Sequence, residues 1–315
     1  MDILFIADPL ASFKIYKDTT FAMMREAQKR GHQIFACEPH HVVWQSGQTV
    51  NAQVQQIHLT GQQDAWLEVQ GVYADRALHS FDAVVMRKDP PFDSEYFYAT
   101  HVLEQAEREG AKVFNKPSAL RNHPEKLAIL EFAQFISPTL VTRDAQAIRA
   151  FHAVHRDIIL KPLDGMGGMG IFRVKDDALN LGAIIETLNR DGAQTVMVQK
   201  FLPAIAQGDK RVLVIGGKAV PFCLARIPQG GEVRGNLAAG GKGVAQPISA
   251  RDQEIANAIG PVLAQRGLLL IGLDVIGDNL TEINVTSPTC FQEIFDQTGC
   301  DVAALFIDAL ESAAA

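Results

Sequence analysis

Residues 157–174 constrain the fold more than any other stretch of this chain. Asp157-Ile-Ile-Leu-Lys161 reads as a buried strand, which runs into Pro162-Leu-Asp-Gly165-Met166-Gly167-Gly168-Met-Gly170 and then a second apolar run, Ile171-Phe-Arg-Val174. Gly165, Gly167 and Gly170 satisfy the spacing G-x-G-x-x-G. The dinucleotide fingerprint, however, requires a helix to open directly after the loop, and Ile171-Phe-Arg-Val174 is too short and too β-rich for one. The order is therefore strand, glycine loop, strand, and the Rossmann reading is rejected. Glycines placed there can fold as a flap whose backbone N–H groups approach phosphate oxygens without side-chain obstruction. Lys161, on the strand leading in, would add a point charge. Taken alone, the loop reads equally well as a flexible hairpin without a ligand.

A second feature tips the balance. In Leu273-Asp-Val-Ile-Gly-Asp-Asn-Leu-Thr-Glu-Ile-Asn284, a loop at Gly277-Asp278-Asn279 places Asp274 opposite Glu282, with Asn284 two residues on and on the same face. Opposed carboxylates repel unless a cation joins them. Carboxylate and amide oxygens favour a hard ion, and Mg²⁺ typically takes one or two carboxylates together with substrate phosphates. An acidic hairpin downstream of a glycine flap points to a nucleotide with its divalent ion.

The amino-terminal part alternates differently. A strand over residues 2–7, a helix over 19–30 ended by Gly31 and a strand over 32–37 make a βαβ start. The idea repeats with a strand over 82–86, a Pro-rich loop, a helix over 96–109 closed by Gly110 and a strand over 112–115. This predicts an open α/β domain, although residues 42–78 give no readable pattern. A boundary falls around residues 117–124, after which a helix containing Lys126 and Leu127 is expected to begin, with Pro124 in its first turn. The remainder reads as α+β. Strands over 210–215 and 219–226 pair through Gly216-Gly217, and helices are expected near 178–189 and 253–266.

Other groups carry weaker signals. Arg87-Lys-Asp-Pro-Pro-Phe-Asp93 follows a strand's carboxyl end, and reads first as a rigid surface turn with solvated charges, with a substrate-facing role as the alternative. Arg211 and Arg226 sit at the far end of one predicted hairpin, where their guanidinium forks could converge on a phosphate or carboxylate. Residues 227–243 hold glycines interspersed with Gln229, Glu232, Arg234, Asn236 and Lys242, which suits a mobile lid. Among 315 residues, 29 basic against 36 acidic side chains give a net charge of −7, which argues against a nucleic-acid surface. No stretch approaches the ~18 consecutive apolar residues of a membrane span, and no basic leader precedes the first apolar run, so a cytoplasmic chain is expected. The four cysteines lack CxxC spacing, so neither disulfide nor zinc is expected.

In order, Arg87 to Asp93, Lys161-Pro-Leu-Asp-Gly-Met-Gly-Gly168, Asp209-Lys-Arg-Val212, Ala225-Arg-Ile-Pro-Gln-Gly-Gly231, Arg234-Gly-Asn-Leu-Ala-Ala-Gly-Gly241 and Glu282-Ile-Asn-Val-Thr-Ser-Pro288 closely resemble the bacterial glutathione synthetases. The likeness spans nearly the whole chain. It implies an ATP-grasp fold, α/β and α+β, with an N-terminal open α/β (pre-ATP-grasp) domain over 1–122 and an ATP-grasp region over 123–315, divided near 200 into a central and a C-terminal subdomain. It implies that Lys126 and Lys161 contact ATP phosphates and that Gly165, Met166, Gly167 and Gly168 cover them. Gln199, Lys200, Phe201 and Leu202 would form the adenine-side strand and hinge. Asp274, Glu282 and Asn284 would hold Mg²⁺, with Mn²⁺ as a possible substitute. Arg211 and Arg226, with Arg234 on the lid, would serve an acyl phosphate as γ-glutamylcysteine is joined to glycine. The family also implies a homotetramer, and no nucleic-acid or membrane partner. Two rivals remain open at this point: another ATP-grasp ligase joining a carboxylate to an amine, and an ATP-binding protein without turnover.

Overall fold

The computed structural model describes residues 1–232, 234–237 and 240–315. Its strands form three sheets that follow one another along the chain. The first contains β1 (Asp2–Ile6), β2 (Gln33–Cys37), β3 (Val42–Val43), β4 (Asn51–Leu59), β5 (Leu67–Ala77), β6 (Ala83–Met86) and β7 (Val113–Phe114). β1, β2, β6 and β7 run parallel, while β4 pairs antiparallel with β2, β3 and β5. Buried on both faces, β1 sends Leu4 and Ile6 into one apolar cluster and Ile3 and Phe5 into another, as continuous hydrophobic strands of parallel sheets do. The helices α1 (Thr19–Lys29) and α2 (Ser94–Arg108) are each opened by an aspartate cap, Asp18 accepting from Phe21 N at 2.7 Å and Asp93 from Tyr96 N at 2.9 Å.

Residues 42–78, illegible in the sequence, form the β4–β5 hairpin. A register shift between Val54 and Gln56 breaks the alternation of β4, and β5 is exposed over most of its length, so neither strand carries a clean period of two. The expected helix around Lys126 is also corrected. Helix α3 (Pro117–Asn122) ends before Pro124, Lys126 lies in a turn, and a 3₁₀ helix follows over Ala128–Phe135.

The second sheet is antiparallel, ordered β10, β9, β11, β8, with β8 (Thr139–Thr142), β9 (Ile158–Pro162), β10 (Phe172–Val174) and β11 (Val196–Lys200). Its helices α4 (Ala145–His155) and α5 (Leu181–Asn189) pack on it around a third apolar cluster that includes Ile148, Leu160, Ile185 and Val198. The helix expected from residue 178 begins only at Leu181, because Ala178 and Asn180 take φ of 54° and 60°, left-handed values that keep both out of the helix and leave Asn180 as its N-cap.

The third sheet, also antiparallel, is ordered β14, β13, β12, β15, β16: β12 (Asp209–Ile215), β13 (Lys218–Ile227), β14 (Lys242–Pro247), β15 (Leu270–Ile276) and β16 (Asn279–Asn284). Helix α6 (Ala250–Gln265) packs on one side, and α7 (Phe291–Thr298) and α8 (Val302–Ala314) connect the sheet to α1. Asn115 clamps the first sheet to the third, donating to Leu270 O at 2.7 Å and Val285 O at 2.8 Å and accepting from Leu270 N. Among the described residues no helix is long and apolar enough to cross a membrane.

Candidate active site

The second and third sheets face each other across a cavity of about 310 Å³, within the ~300–1,000 Å³ usual for small-ligand sites. Lys126, Lys161, Gly165, Met166, Gly167, Gly168, Gln199, Lys200, Phe201, Leu202, Arg211, Arg226, Arg234, Asp274, Glu282 and Asn284 all border it. Two of these positions depend on short-range geometry. Asp274 does pair with Glu282, and Asn284 pairs with Gly272, but the connecting turn is the two-residue Gly277-Asp278. A bulge at Thr281, whose hydroxyl donates to Asp274 O at 3.1 Å, restores the register that a three-residue loop would have given.

The floor of the cavity is a buried charge ladder. Arg211 grips Asp274 through Nε at 2.6 Å and Nη2 at 3.3 Å, and Arg226 reaches the same carboxylate through Nη2 at 2.9 Å. Arg226 also donates to the Asp209 carboxylate at 2.5 Å and to the Asp209 backbone oxygen at 3.2 Å. Burial works against ionising Asp274, but the Arg211 and Arg226 guanidiniums outweigh it and hold its carboxyl well below the usual range. Asp209 goes the other way: burial, with the charge of Asp274 beside it, outweighs Arg226 and raises its pKa to about 6. One oxygen of Asp209 is buried without a hydrogen-bond partner.

That imbalance has a measurable consequence. The folded pKa of Asp209 lies above its ordinary 3.8, so between about pH 4 and 6 the native state binds more protons than the unfolded chain and stability falls as pH rises through that window. In Asp209→Asn, the decline in urea-unfolding free energy from pH 4 to 6 is expected to be shallower than in the wild type. Equal slopes would remove Asp209 from this balance.

On the opposite wall, Lys126 Nζ donates to Gly165 O at 2.5 Å and lies 3.3 Å from Glu282. Lys161 Nζ donates to Thr281 O at 3.2 Å, and burial pulls its ammonium below the usual value, against the pull of Glu282. Lys126 therefore bridges the glycine loop and the acidic hairpin, while Lys161 ties β9 to the same hairpin. Glu125, half-buried, borders the cavity beside them. Its carboxylate accepts from Val285 N, Thr286 N and the Thr286 hydroxyl, while burial and then the charge of Glu282 raise its pKa. Sequence reasoning gave no role to Glu125 or Asp209. Asp209 gave no local signal either: counting back from the Gly216-Gly217 turn sets it opposite Leu224, and only the register shift between Val212 and Val214 brings it opposite Arg226; Glu125 carried no signal beyond its place beside Lys126.

The cover is made by two loops that touch. Arg234 pairs with Glu232 at 2.9 Å, and its Nη1 lies 3.5 Å from Gly168 O. A Cβ at Gly168 would come within 2.8 Å of Asn236 Oδ1. Within the expected lid, residues 227–243, positions 233, 238 and 239 lie outside the described residues, and Lys242 belongs to β14, where it pairs with Ile227. The solvated reading of the 87–93 turn is overturned at its first residue. Arg87 is 4% exposed and donates to Thr20 Oγ1 and Pro288 O, each at 3.1 Å.

Among the described residues no three His, Cys, Asp or Glu side chains cluster as a metal site would require, so a divalent ion would rest on two carboxylates and an amide. That donor set fits a hard cation. Asn284 Nδ2 donates to Gly272 O at 3.2 Å, which leaves its carbonyl oxygen for a ligand, and the Lys126 pair engages a single oxygen of Glu282, whereas Asp274 would share with the ion oxygens that Arg211 and Arg226 already engage. Buried cations on both walls, hard oxygen donors between them and a glycine cover suit a polyphosphate that reacts with a carboxylate.

The profile described as prokaryotic glutathione synthetase, ATP-grasp domain, matches residues 125–299, and that of the prokaryotic glutathione synthetase N-terminal domain matches residues 1–121. The glutathione synthetase of Ralstonia nicotianae is 61% identical, over 100% of this chain and 96% of that protein. That of Neisseria meningitidis serogroup A is 56% identical over 98% of each. Among solved structures, D-cycloserine synthetase DcsG superposes with a TM-score of 0.67 at 15% identity, covering 99% of this chain and 100% of its own. The ATP-grasp ligase PsnB, complexed with minimal precursor, Mg and ADP, gives 0.63 at 21% identity, covering 99% and 97%. At such identities these two speak for the fold alone.

Proposed function

This chain belongs to the prokaryotic glutathione synthetase family and is an ATP-dependent ligase that forms glutathione; we propose that it joins γ-glutamylcysteine to glycine through an acyl phosphate held on the Arg211–Asp274–Arg226 ladder. The observation that carries this reading is the convergence of both guanidiniums on one buried carboxylate directly across the hairpin from Glu282.

In this mechanism Lys126 and Lys161 bind the ATP phosphates, and the backbone of residues 165–168 covers them. Residues 199–202, on β11 and just after it, line the side on which the adenine lies. The cysteinyl carboxylate attacks the γ-phosphorus, ADP leaves, and Arg211 and Arg226 offset the negative charge that develops. The glycine amine then attacks the acyl carbon, the C–O bond to phosphate breaks, and the amine loses a proton as the amide forms. Asp274, Glu282 and Asn284 would hold Mg²⁺, which supplies charge neutralisation on the phosphates when bound; Mn²⁺ suits the same oxygen donors. Arg234, reaching over from the touching loops, helps exclude water that would hydrolyse the acyl phosphate. Residues 1–122 serve as substrate domain, 123–200 as cover and 201–315 as the catalytic floor. The family resemblance supports a homotetramer and residence in the cytoplasm.

The test is ADP release with Mg²⁺-ATP, γ-glutamylcysteine and glycine, each omitted in turn, with mass detection of the product. Turnover needing all three and yielding the tripeptide is expected. ADP without tripeptide would move the assignment to another carboxylate–amine ligase, and ATP binding without turnover to a non-catalytic role.

The cover makes its own prediction. A Cβ at Gly235 would sit 2.2 Å from the Arg226 carbonyl oxygen, so Gly235→Ala must push that loop outward. Overpacking of this kind costs about 1–3 kcal/mol. The expected result is a fall of roughly tenfold or more in kcat/KM and a rise in ADP released per tripeptide formed. Unchanged kcat/KM with tight coupling would mean that the cover does not shield the intermediate.

A further inference from the structure

Where β11 leaves its sheet, the large cavity is bordered by the apolar side chains of Ile159, Phe201, Leu202 and Ile205, a lining that suits a flat base. Among them lies Gln199, buried and directly opposite Thr139 on β8. Its amide is held by a relay of two hydrogen bonds. The Thr139 hydroxyl donates to Ser137 O at 2.8 Å, and Gln199 Nε2 donates to Thr139 Oγ1 at 3.1 Å. A hydroxyl has a single proton to give. Since Thr139 has committed its own to Ser137, it can only accept from Gln199, and the amide nitrogen must face it. Oε1 is then the polar atom that Gln199 offers to the cavity, and among the described residues nothing donates to it. Ser137 supplies a second group of this kind: its hydroxyl is buried, borders the cavity and has no hydrogen-bond partner among the described residues.

We propose that Thr139 is a positioning residue for nucleotide choice: by fixing which way round the Gln199 amide lies, it turns an acceptor toward the base and selects 6-amino purines over 6-oxo purines. This rests on the reading that ATP fills the cavity with its base beside residues 199–202. Adenine carries an amino donor at position 6, where guanine carries a carbonyl oxygen. Against Oε1 the amino group completes a hydrogen bond. The carbonyl instead sets two acceptors against each other in a site shut off from water, and both go unsatisfied. A reversed amide would present Nε2 and favour the 6-oxo base. The shape of Gln199 does nothing to prevent that reversal, because the oxygen and nitrogen ends of an amide are nearly alike in size. What opposes it is the proton count. Turned over, Oε1 would meet Thr139 Oγ1 with no proton between them, and if Thr139 withdrew its proton from Ser137 O the unpaired acceptor would only move there.

The experiment measures kcat/KM for ATP and for inosine triphosphate, in which an oxygen replaces the 6-amino group, with γ-glutamylcysteine and glycine saturating. The wild type is expected to prefer ATP by about a hundredfold. Thr139→Val removes the relay and keeps a β-branched side chain suited to a strand. Its preference is expected to fall at least tenfold, through opposite changes in the two nucleotide KM values, while kcat with ATP moves less than threefold. Thr139→Ser, which keeps the hydroxyl, is expected to return the preference to within threefold of the wild type. Gln199→Glu provides the control. Both oxygens of a carboxylate accept, so an acceptor faces the base whichever way the group turns, and in that background Thr139→Val should change the preference less than twofold. A merely structural Thr139 would lower it equally in both backgrounds. That equal loss, a Thr139→Val preference within twofold of the wild type, or no restoration by serine overturns the proposal. Calorimetry with non-hydrolysable analogues of both nucleotides separates it from the reaction. A chain that binds and discriminates the two bases through Thr139 without making tripeptide overturns the reaction and upholds the relay, whereas tripeptide made with both nucleotides used within threefold of each other does the opposite.

Discussion

Glu282→Gln is expected to lower tripeptide formation by about a thousandfold, since a metal's stabilisation of transition-state charge is worth several kcal/mol and each 1.36 kcal/mol is tenfold. Stability should fall far less than activity. Glu282 is partly exposed, its ion pair with Lys126 is a 3.3 Å contact, and its charge sits against the half-buried Glu125. The amide keeps the size of the side chain and removes that repulsion. Steady-state kinetics across a Mg²⁺ titration, read beside urea unfolding, check both halves of the expectation. Activity within tenfold of wild type at saturating Mg²⁺ would take Glu282 out of the site.

Asp274→Asn fails differently, because folding and chemistry share this carboxylate. Both oxygens of Asp274 are engaged by buried guanidiniums, and Asp209 alone would remain to balance Arg211 and Arg226. Removing one partner of a buried ionic group typically costs about 3–5 kcal/mol. The variant should lose that much in urea unfolding and show no measurable ligation. The wild type also owes Asp274 a share of its acid sensitivity. Its folded pKa lies below the ordinary 3.8, so the stability it contributes is present above about pH 4 and is lost as pH falls further. A loss under 1 kcal/mol in Asp274→Asn would mean that water, rather than this carboxylate, screens the arginines.

What the sequence made legible was set by local signals. The parallel strands β1, β2 and β6 are unbroken apolar runs, and α1 and α2 begin at aspartate caps and end at Gly31 and Gly110, so their places could be read directly. The acidic hairpin was placed in the right register through a wrong turn, because the bulge at Thr281 compensated for the missing loop residue. Lys126 was set on a helix that does not exist, since Pro124 permits a helix start without requiring one. Arg87 reads in sequence as a turn charge. Its burial depends on Thr20 and Pro288, residues far away along the chain, and no window of sequence contains that information. The two touching cover loops, 165–170 and 227–243, were found separately from their glycines, but their contact through Arg234 and Gly168 is tertiary.

The third apolar cluster, built from Ile148, Ile158, Leu160, Val174, Leu181, Ile185, Leu188, Val196 and Val198, shares no member with the other two, and the small sheet touches the larger core through Met197 and Val141 on its opposite face. A unit packed around its own centre can detach as one cooperative foldon below the free energy of global unfolding. Amide hydrogen exchange over residues 139–200 should then rise and fall together. A molecule gripped on both sides of the cleft penalises that opening by RT ln(1 + [L]/Kd), about 2.7 kcal/mol at a hundredfold excess over Kd. Nucleotide thereby acts as the clasp of this foldon as well as a reactant, and the protease resistance of a single stretch of chain becomes a gauge of how full the enzyme is.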